Sequence, residues 1–164
     1  DQDMCRRYGC TGPVVRGAGV PYDVRKSEPY SVYDRFDFEI PTSDSCCSAG
    51  RYHVRLAEME QSMRIIEQAL EQLPSAEGGH IVDKAPKPSM KPPAGEAYFN
   101  VEGGRGKIGI HAVSDGSKVP YRIKLRAPGF SNLSAFAEAA TGTLLADAVA
   151  ILGSLDLIIP EIDR

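Results

Sequence analysis

The sequence predicts an α+β fold: a helical core with one long amphipathic helix, a small antiparallel sheet of about three strands and a buried C-terminal helix. Three observations predict it. Leu56, Met59, Met63, Ile66, Leu70 and Leu73 recur at steps of three or four residues, an apolar stripe about six turns long. "EAYFNVE" (Glu96–Glu102) and "KIGIHAV" (Lys107–Val113) flank the turn "GGRG", and the alternating "VPYRIKLRA" (Val119–Ala127) follows. Near the C-terminus "TLLADAVAIL" is apolar on nearly every side, which predicts burial on more than one face.

The elements follow in order. Residues 1–49, rich in proline, glycine and tyrosine, predict an irregular crossover with little regular structure; Val32, Phe36, Phe38 and Ile40 predict a short extended segment ended by Pro41. The long helix occupies residues 50–73. Its other faces carry Arg55, Glu58, Glu60, Arg64, Glu67 and Glu71, with Glu60 and Arg64 spaced to pair, and Pro74 stops it. Residues 74–95 contain five prolines and almost no periodicity, so they read as a loop or tether. Residues 96–127 form the β unit, whose third strand carries Arg122, Lys124 and Arg126 on its polar face, expected in solvent or, alternatively, against an acidic partner surface. Residues 128–164 hold helices and an inward-folding tail. There Ser131 or Asn132 caps a short helix ending at Gly142, the apolar helix ends at Gly153, and Asp147 inside it must find a donor or bind a proton. The tail "SLDLIIPEIDR" carries three isoleucines and is expected to tuck in.

Composition excludes several functions. The chain has 164 residues, enough for one domain with a real core. With 19 basic and 22 acidic residues its formal charge is -3, which removes the electrostatic case for nucleic acid. The longest strongly apolar run, Leu144–Leu152, is broken by Asp147 and too short for a membrane span, and no signal or transit sequence is visible. Cys5 and Cys10 stand five apart and Cys46 and Cys47 are adjacent, so neither pair has metal-site spacing; four reduced thiols are the simpler expectation. His53, His80 and His111 show no ligand spacing, and "GGRG" lacks the strand-to-helix context of a nucleotide loop. One stretch stays ambiguous: "TGPVVRGAGVPYDVRK" (Thr11–Lys26) places charges in turn-forming backbone, as either a solvated loop or buried ion pairs.

The order of the pieces resembles a known family. "GPVVRGAGVPYDVRK", "VYDRFDFEIP", "RYHVRLAEMEQSMRIIEQAL", "PPAGEAYFNVEGGRG", "PYRIKLRAPGFSNL" and "ADAVAILGSLDLIIPEIDR" look like the C-terminal part of the D-type subunits of NADH-quinone oxidoreductase, the hydrogenase-like large subunits of respiratory complex I. Departures are visible. Where the family usually reads G-D-x-x-D-R-Y this chain has "CCSAGRY", which removes an expected ion pair; G-E before the second strand is Gly106-Lys107; and the ending G-E-V-D-R is "PEIDR".

The resemblance implies a role in electron transfer from NADH to quinone, with the chain alone inactive. Quinone would be the substrate, NAD and iron–sulfur clusters would be carried by other subunits, and none would be bound here. The implied partners are the iron–sulfur small subunit and other peripheral-arm subunits, with no nucleic acid and no direct membrane span, at the cytoplasmic face of the bacterial inner membrane. The family's quinone-contacting histidine and tyrosine belong to its N-terminal half, and a first residue other than methionine fits a fragment. The positions matching Asp156, Ile158 and Arg164 would sit at the quinone cavity, as charge, apolar wall and cation; an internal salt bridge with core packing is the simpler alternative. Thr11–Lys26 would be a buried crossover in which Arg16, Asp23, Arg25 and Lys26 form a structural charge network. Hydrogenases ligate nickel through cysteine pairs, and the cysteine-free end here predicts no metal. Two alternatives are a shortened, non-enzymatic paralogue acting as a subunit-interaction module and the large subunit of a hydrogenase-type complex.

Overall fold

A computed structural model describes residues 1–73 and 91–163 of the chain, so most of the expected proline-rich loop, with His80, and the terminal Arg164 lie outside the described residues. The architecture is α+β. Helix α1 (Gln2–Tyr8) starts on Asp1, whose carboxylate accepts from the Met4 amide at 2.9 Å, and stops at left-handed Gly9. Helix α2 (Pro13–Arg16) has proline in its first turn, where no amide hydrogen is missed. Helix α3 (Val24–Ser27) is capped by the Asp23 carboxylate. The segment expected to be irregular therefore holds three short helices. Their cues are local and of single-residue size, a cap, a proline and a left-handed glycine, and no periodicity announces a four-residue helix. Thr11 to Ala18 are buried without a break, and Cys5, Cys10, Val14, Val15 and Ala18 form a core with Ala135 and Leu155.

No strand forms between Val32 and Ile40. A 3₁₀ turn (Tyr33–Arg35) leads into extended chain in which Phe36 and Phe38 point inward while Asp37 and Glu39 point out. The backbone partners come from a helix instead of a sheet. The amides of Asp37 and Glu39 donate to Gln68 and Gln61 at 2.8 and 3.0 Å, and the Gln68 amide donates back to the Asp37 carbonyl at 2.7 Å.

Those glutamines belong to α4 (Ser48–Gln72), and they reveal its orientation. The helix turns a largely polar face inward: Gly50 and Val54 are buried, and Arg51, Arg55, Glu58, Gln61 and Gln68 all bond to other segments. The predicted apolar stripe faces out, with Met59, Met63, Ile66 and Leu70 all more than half exposed. Periodicity locates the stripe correctly, but the described residues leave it largely uncovered. Arg64 reaches Asp37 at 3.6 Å and not Glu60.

Strands β1 (Gly95–Gly103), β2 (Gly106–Ser114) and β3 (Arg122–Arg126) form an antiparallel sheet in sequence order. The register pairs Gly103 with Gly106 and leaves Gly104-Arg105 as the turn. On one face Phe99, Ile110 and Leu125 lie side by side. Of the three cations expected in solvent, Arg122 and Lys124 are exposed. Arg126 is not: it turns back to donate to the Gly9 carbonyl at 2.7 Å, to Thr11 Oγ1 at 3.1 Å and to the Lys107 carbonyl.

The hairpin turn docks against the α1–α2 link, glycine to glycine. Gly12 (φ 71°) and Gly106 (φ 125°) are in contact, and a Cβ on Gly106 would stand 2.7 Å from the Gly12 nitrogen. Asn132 closes this junction from helix α5 (Pro128–Ser134). Its side chain is 1% exposed, accepts from the Thr11 amide at 3.3 Å and donates to the Thr11 and Arg105 carbonyls at 3.5 Å. Asn132 is thus a mid-helix bridge and not the predicted cap; Ala127 and Pro128 start the helix.

Helices α6 (Phe136–Ala140), α7 (Leu145–Ser154) and α8 (Ile159–Ile162) complete the chain. The predicted burial of α7 does not occur. It has no buried residue, Leu145 and Val149 stand largely in solvent, and Asp147 is exposed and needs no internal donor. Among the described residues its close neighbours are α4 and α6, and most of its apolar surface is left exposed by them. The tail is mixed: Leu155 is buried and Leu157 half-buried, whereas Ile158 and Ile159 are exposed. Among the described residues no helix is long and apolar enough to cross a membrane.

Candidate functional site

Two charged sites stand out. The first lies where α2, α3, α4 and β1 meet. Arg16 is 2% exposed and holds three carboxylates: Glu58 at 2.5 Å, Glu102 at 2.9 Å and Asp23 at 3.6 Å. It also donates to the Tyr22 carbonyl at 2.9 Å. Asp23, equally buried, receives the Arg25 guanidinium at 2.7 and 3.0 Å and the Arg25 amide at 2.8 Å. Glu102 accepts the Val24 amide at 3.1 Å. Lys26 stands outside this cluster. It is exposed, takes part in none of the ion pairs among the described residues, and lies over the Phe38 ring at 4.3 Å. Arg25 lies over the same ring at 4.9 Å, but its guanidinium also reaches Asp23.

Here two guanidinium groups face three carboxylates, and the surplus is resolved by environment. Burial pushes the Asp23 carboxyl up, but the Arg25 hydrogen bonds and charge outweigh it and leave the group below its ordinary value of 3.8. Burial also pushes up Glu102; there Arg16 does not fully compensate, and Asp23 adds repulsion, so Glu102 sits above its ordinary value. Asp23 consequently contributes stability above about pH 4 that is lost as pH falls through its lowered value. Asp23→Asn is expected to cost most near neutrality and progressively less below about pH 4 in denaturant titrations at stepped pH. Glu102→Gln has the opposite slope, because the folded state binds that proton more tightly than the unfolded chain.

The second site surrounds Ser154–Asp156, just before the tail. Arg51 donates twice to Ser154 Oγ at 2.6 and 3.0 Å, and Arg55 donates to the Ser154 carbonyl at 2.7 Å. Arg105, projecting from the hairpin turn, donates to the Asp156 carbonyl at 2.8 Å and approaches its carboxylate at 3.3 Å. Burial lowers both Arg51 and Arg55 from the ordinary arginine value; the charge of Arg55 adds to the effect at Arg51, and that of Arg105 at Arg55. Asp156 itself holds a left-handed conformation, φ 53°, at the bend into the tail. A largely apolar cavity of about 540 Å³ lies beside it, lined by Leu133, Val149, Leu152, Leu157, Ile159 and Asp156. Of the three expected cavity residues, Asp156 lines this space, Ile158 does not, and Arg164 lies outside the described residues.

Several of these residues carry no sequence signal. Glu58 and Glu102 lie 42 and 86 residues from Arg16, and Arg105 looks like a turn residue among glycines. Among the described residues no group of three or more histidines, cysteines or acids is arranged to hold a metal ion. The reversed charge at Lys107 is matched by Glu28 at 3.1 Å.

Fold and site define a class: an α+β protein whose charges brace its interior while two apolar helix faces stay uncovered by the described residues. Residues 1–164 match the family described as the respiratory-chain NADH dehydrogenase 49 Kd subunit, and the chain belongs to that family. It is similar to the D-type NADH-quinone oxidoreductase subunit of Desulfotalea psychrophila, 56% identical over 162 residues, covering 99% of this chain and 43% of that protein. The D-type subunit of Syntrophobacter fumaroxidans is 51% identical over 162 residues, with the same shares covered. The D 2 subunit of Herpetosiphon aurantiacus is 51% identical over 163 residues, covering 99% of this chain and 44% of that protein. The chain thus spans under half the length of these curated relatives.

Proposed function

We propose that this chain forms part of the quinone-cavity wall of a respiratory NADH:quinone oxidoreductase and of the interface with its iron–sulfur small subunit. The observation that carries the reading is the apolar cavity lined in part by Asp156, whose carbonyl and carboxylate are held by Arg105. A quinone needs an apolar slot for ring and tail and a few fixed polar groups for its carbonyl oxygens. Asp156, clamped by Arg105, would set the charge at the rim; Ile158 and Arg164 would continue the wall where the rest of the complex closes over it. NAD and the iron–sulfur clusters would be held by other subunits, the exposed faces of α4 and α7 would be covered by neighbouring protein, and the chain would sit peripherally at the cytoplasmic side of the membrane.

In the intact complex, Asp156→Asn and Ile158→Trp are expected to lower quinone reduction roughly tenfold, equivalent to about 1.4 kcal/mol. NADH oxidation by an artificial acceptor that bypasses quinone should stay unchanged. Asparagine is the chosen replacement because it tolerates the left-handed backbone at 156. Equal loss of both activities would instead mean that these residues hold the complex together, and the proposal would fall.

A further inference from the structure

We propose that Cys5 and Cys10 form a reversible dithiol–disulfide site, oxidised by a small anionic disulfide. The end of α1 builds it. Gly9 is left-handed, φ 63° and ψ 34°, its amide donates to the Arg6 carbonyl at 3.2 Å, and the Cys10 amide donates to the Cys5 carbonyl at 2.9 Å. This pair of bonds is the Schellman termination, which sets the residue after the glycine against the one five positions earlier. Apolar side chains usually fill those two places; here both are cysteines. The direct backbone hydrogen bond between them keeps their Cα atoms within the roughly 4.4–6.8 Å that a disulfide spans.

Both thiols are free and buried, and they share the same core cluster. They are not equivalent. Cys5 Sγ donates to the Val14 carbonyl at 3.9 Å, and the neighbouring Cys10, with the charge of Arg51, lowers the Cys5 thiol against the opposing effect of burial. Cys10 is pushed up by the same contact and by burial. Cys5 is therefore the attacking thiolate and Cys10 the resolving thiol. Access is through a cavity of about 370 Å³ lined by both cysteines and by Arg6, Val20, Tyr22 and Arg126. Arg6 and Gly9 at its edge are exposed, and the two arginines favour a negatively charged reagent such as oxidised glutathione.

The exchange balances. Cys5 thiolate attacks one sulfur of the small disulfide, its S–S bond breaks, and one thiolate leaves. That thiolate takes the Cys10 proton; Cys10 then attacks the Cys5 sulfur and expels the second thiolate, which picks up the proton that Cys5 had lost. Two protein thiols are oxidised by two electrons, and the reagent becomes two thiols.

The sequence provides a direct readout, because Arg6 and Arg7 lie between the cysteines. The intact protein, in its native assembly, is treated with oxidised glutathione, alkylated and digested with trypsin without reductant. The peptide ending at Arg6 and the peptide Tyr8–Arg16 should then travel together, and separate after dithiothreitol. Cys10→Ser should trap Cys5 carrying one glutathione. Full alkylation of both cysteines after treatment, a Cys5–Cys46 link, or a Cys10→Ser protein without the adduct would each overturn the proposal. The wild-type peptide map needs no variant to fold. Cys46 is the competitor to watch, since it lines a small cavity with both cysteines and Arg51.

Discussion

Replacing Arg16 with methionine is expected to lower stability by about 3–5 kcal/mol, the range for breaking a buried ion pair from one side. The side chain is 2% exposed, and its removal leaves the carboxylates of Asp23, Glu58 and Glu102 converging on a site with no cation except Arg25. Two of the three are as enclosed as the arginine itself, so water cannot replace it. Methionine fills most of the volume, and the loss therefore reports charge more than packing. A denaturant midpoint measured for Arg16→Met, Glu102→Gln and the double variant closes a thermodynamic cycle. The double variant should recover part of the loss, because one of the stranded carboxylates is gone. Equal midpoints for Arg16→Met and the parent would mean that the cluster is solvated. By the same reasoning Asp23→Ala alone should cost more than Asp23→Ala with Arg25→Ala.

Gly12→Ala is the second large effect. At φ 71° and ψ -150°, a region essentially restricted to glycine, an L-residue costs about 1–3 kcal/mol, and overpacking a tight contact typically adds about 1–3 kcal/mol. The added methyl would meet the backbone of Arg105 and Gly106, and backbone cannot rotate away as a side chain tip can. The junction also positions Arg105 on Asp156, so the hairpin's displacement would reach the tail. A loss of about 3 kcal/mol in thermal or urea unfolding is expected, and Gly104→Ala, with open space around its Cβ, serves as the tolerant control.

How much of this is legible in the residues depends on the range of the interaction. The hairpin is readable because "GGRG" between two alternating runs encodes its own turn, and the structure pairs Gly103 with Gly106. The long helix is readable from its period, but its orientation is not: a stripe of Met59, Met63 and Ile66 says where apolar residues align, and nothing in a single sequence says which face finds a partner. The same holds for α7. The alternation at Phe36 and Phe38 reads as an extended segment, but no local pattern shows that glutamine side chains 22 and 31 residues away act as its backbone partners. In the charge cluster, Arg16, Asp23 and Arg25 are visible as charges in turn-rich backbone, whereas Glu58 and Glu102 are hidden among the surface acids of a helix and a strand. Asp156 stands out through family resemblance, and Arg105, which holds it, comes only from the fold.

The reversed seating of α4 inverts substitution tolerance along its length. On an ordinary amphipathic helix, glutamines drift freely and methionines resist change. Here Gln61 and Gln68 serve as hooks for an extended segment, while Met59 and Met63 are left exposed by the described residues. A library of this chain screened for soluble expression should therefore enrich polar residues at 59, 63 and 66 and reject most changes at 61 and 68, a profile that a hydropathy plot would assign to the opposite side of the helix.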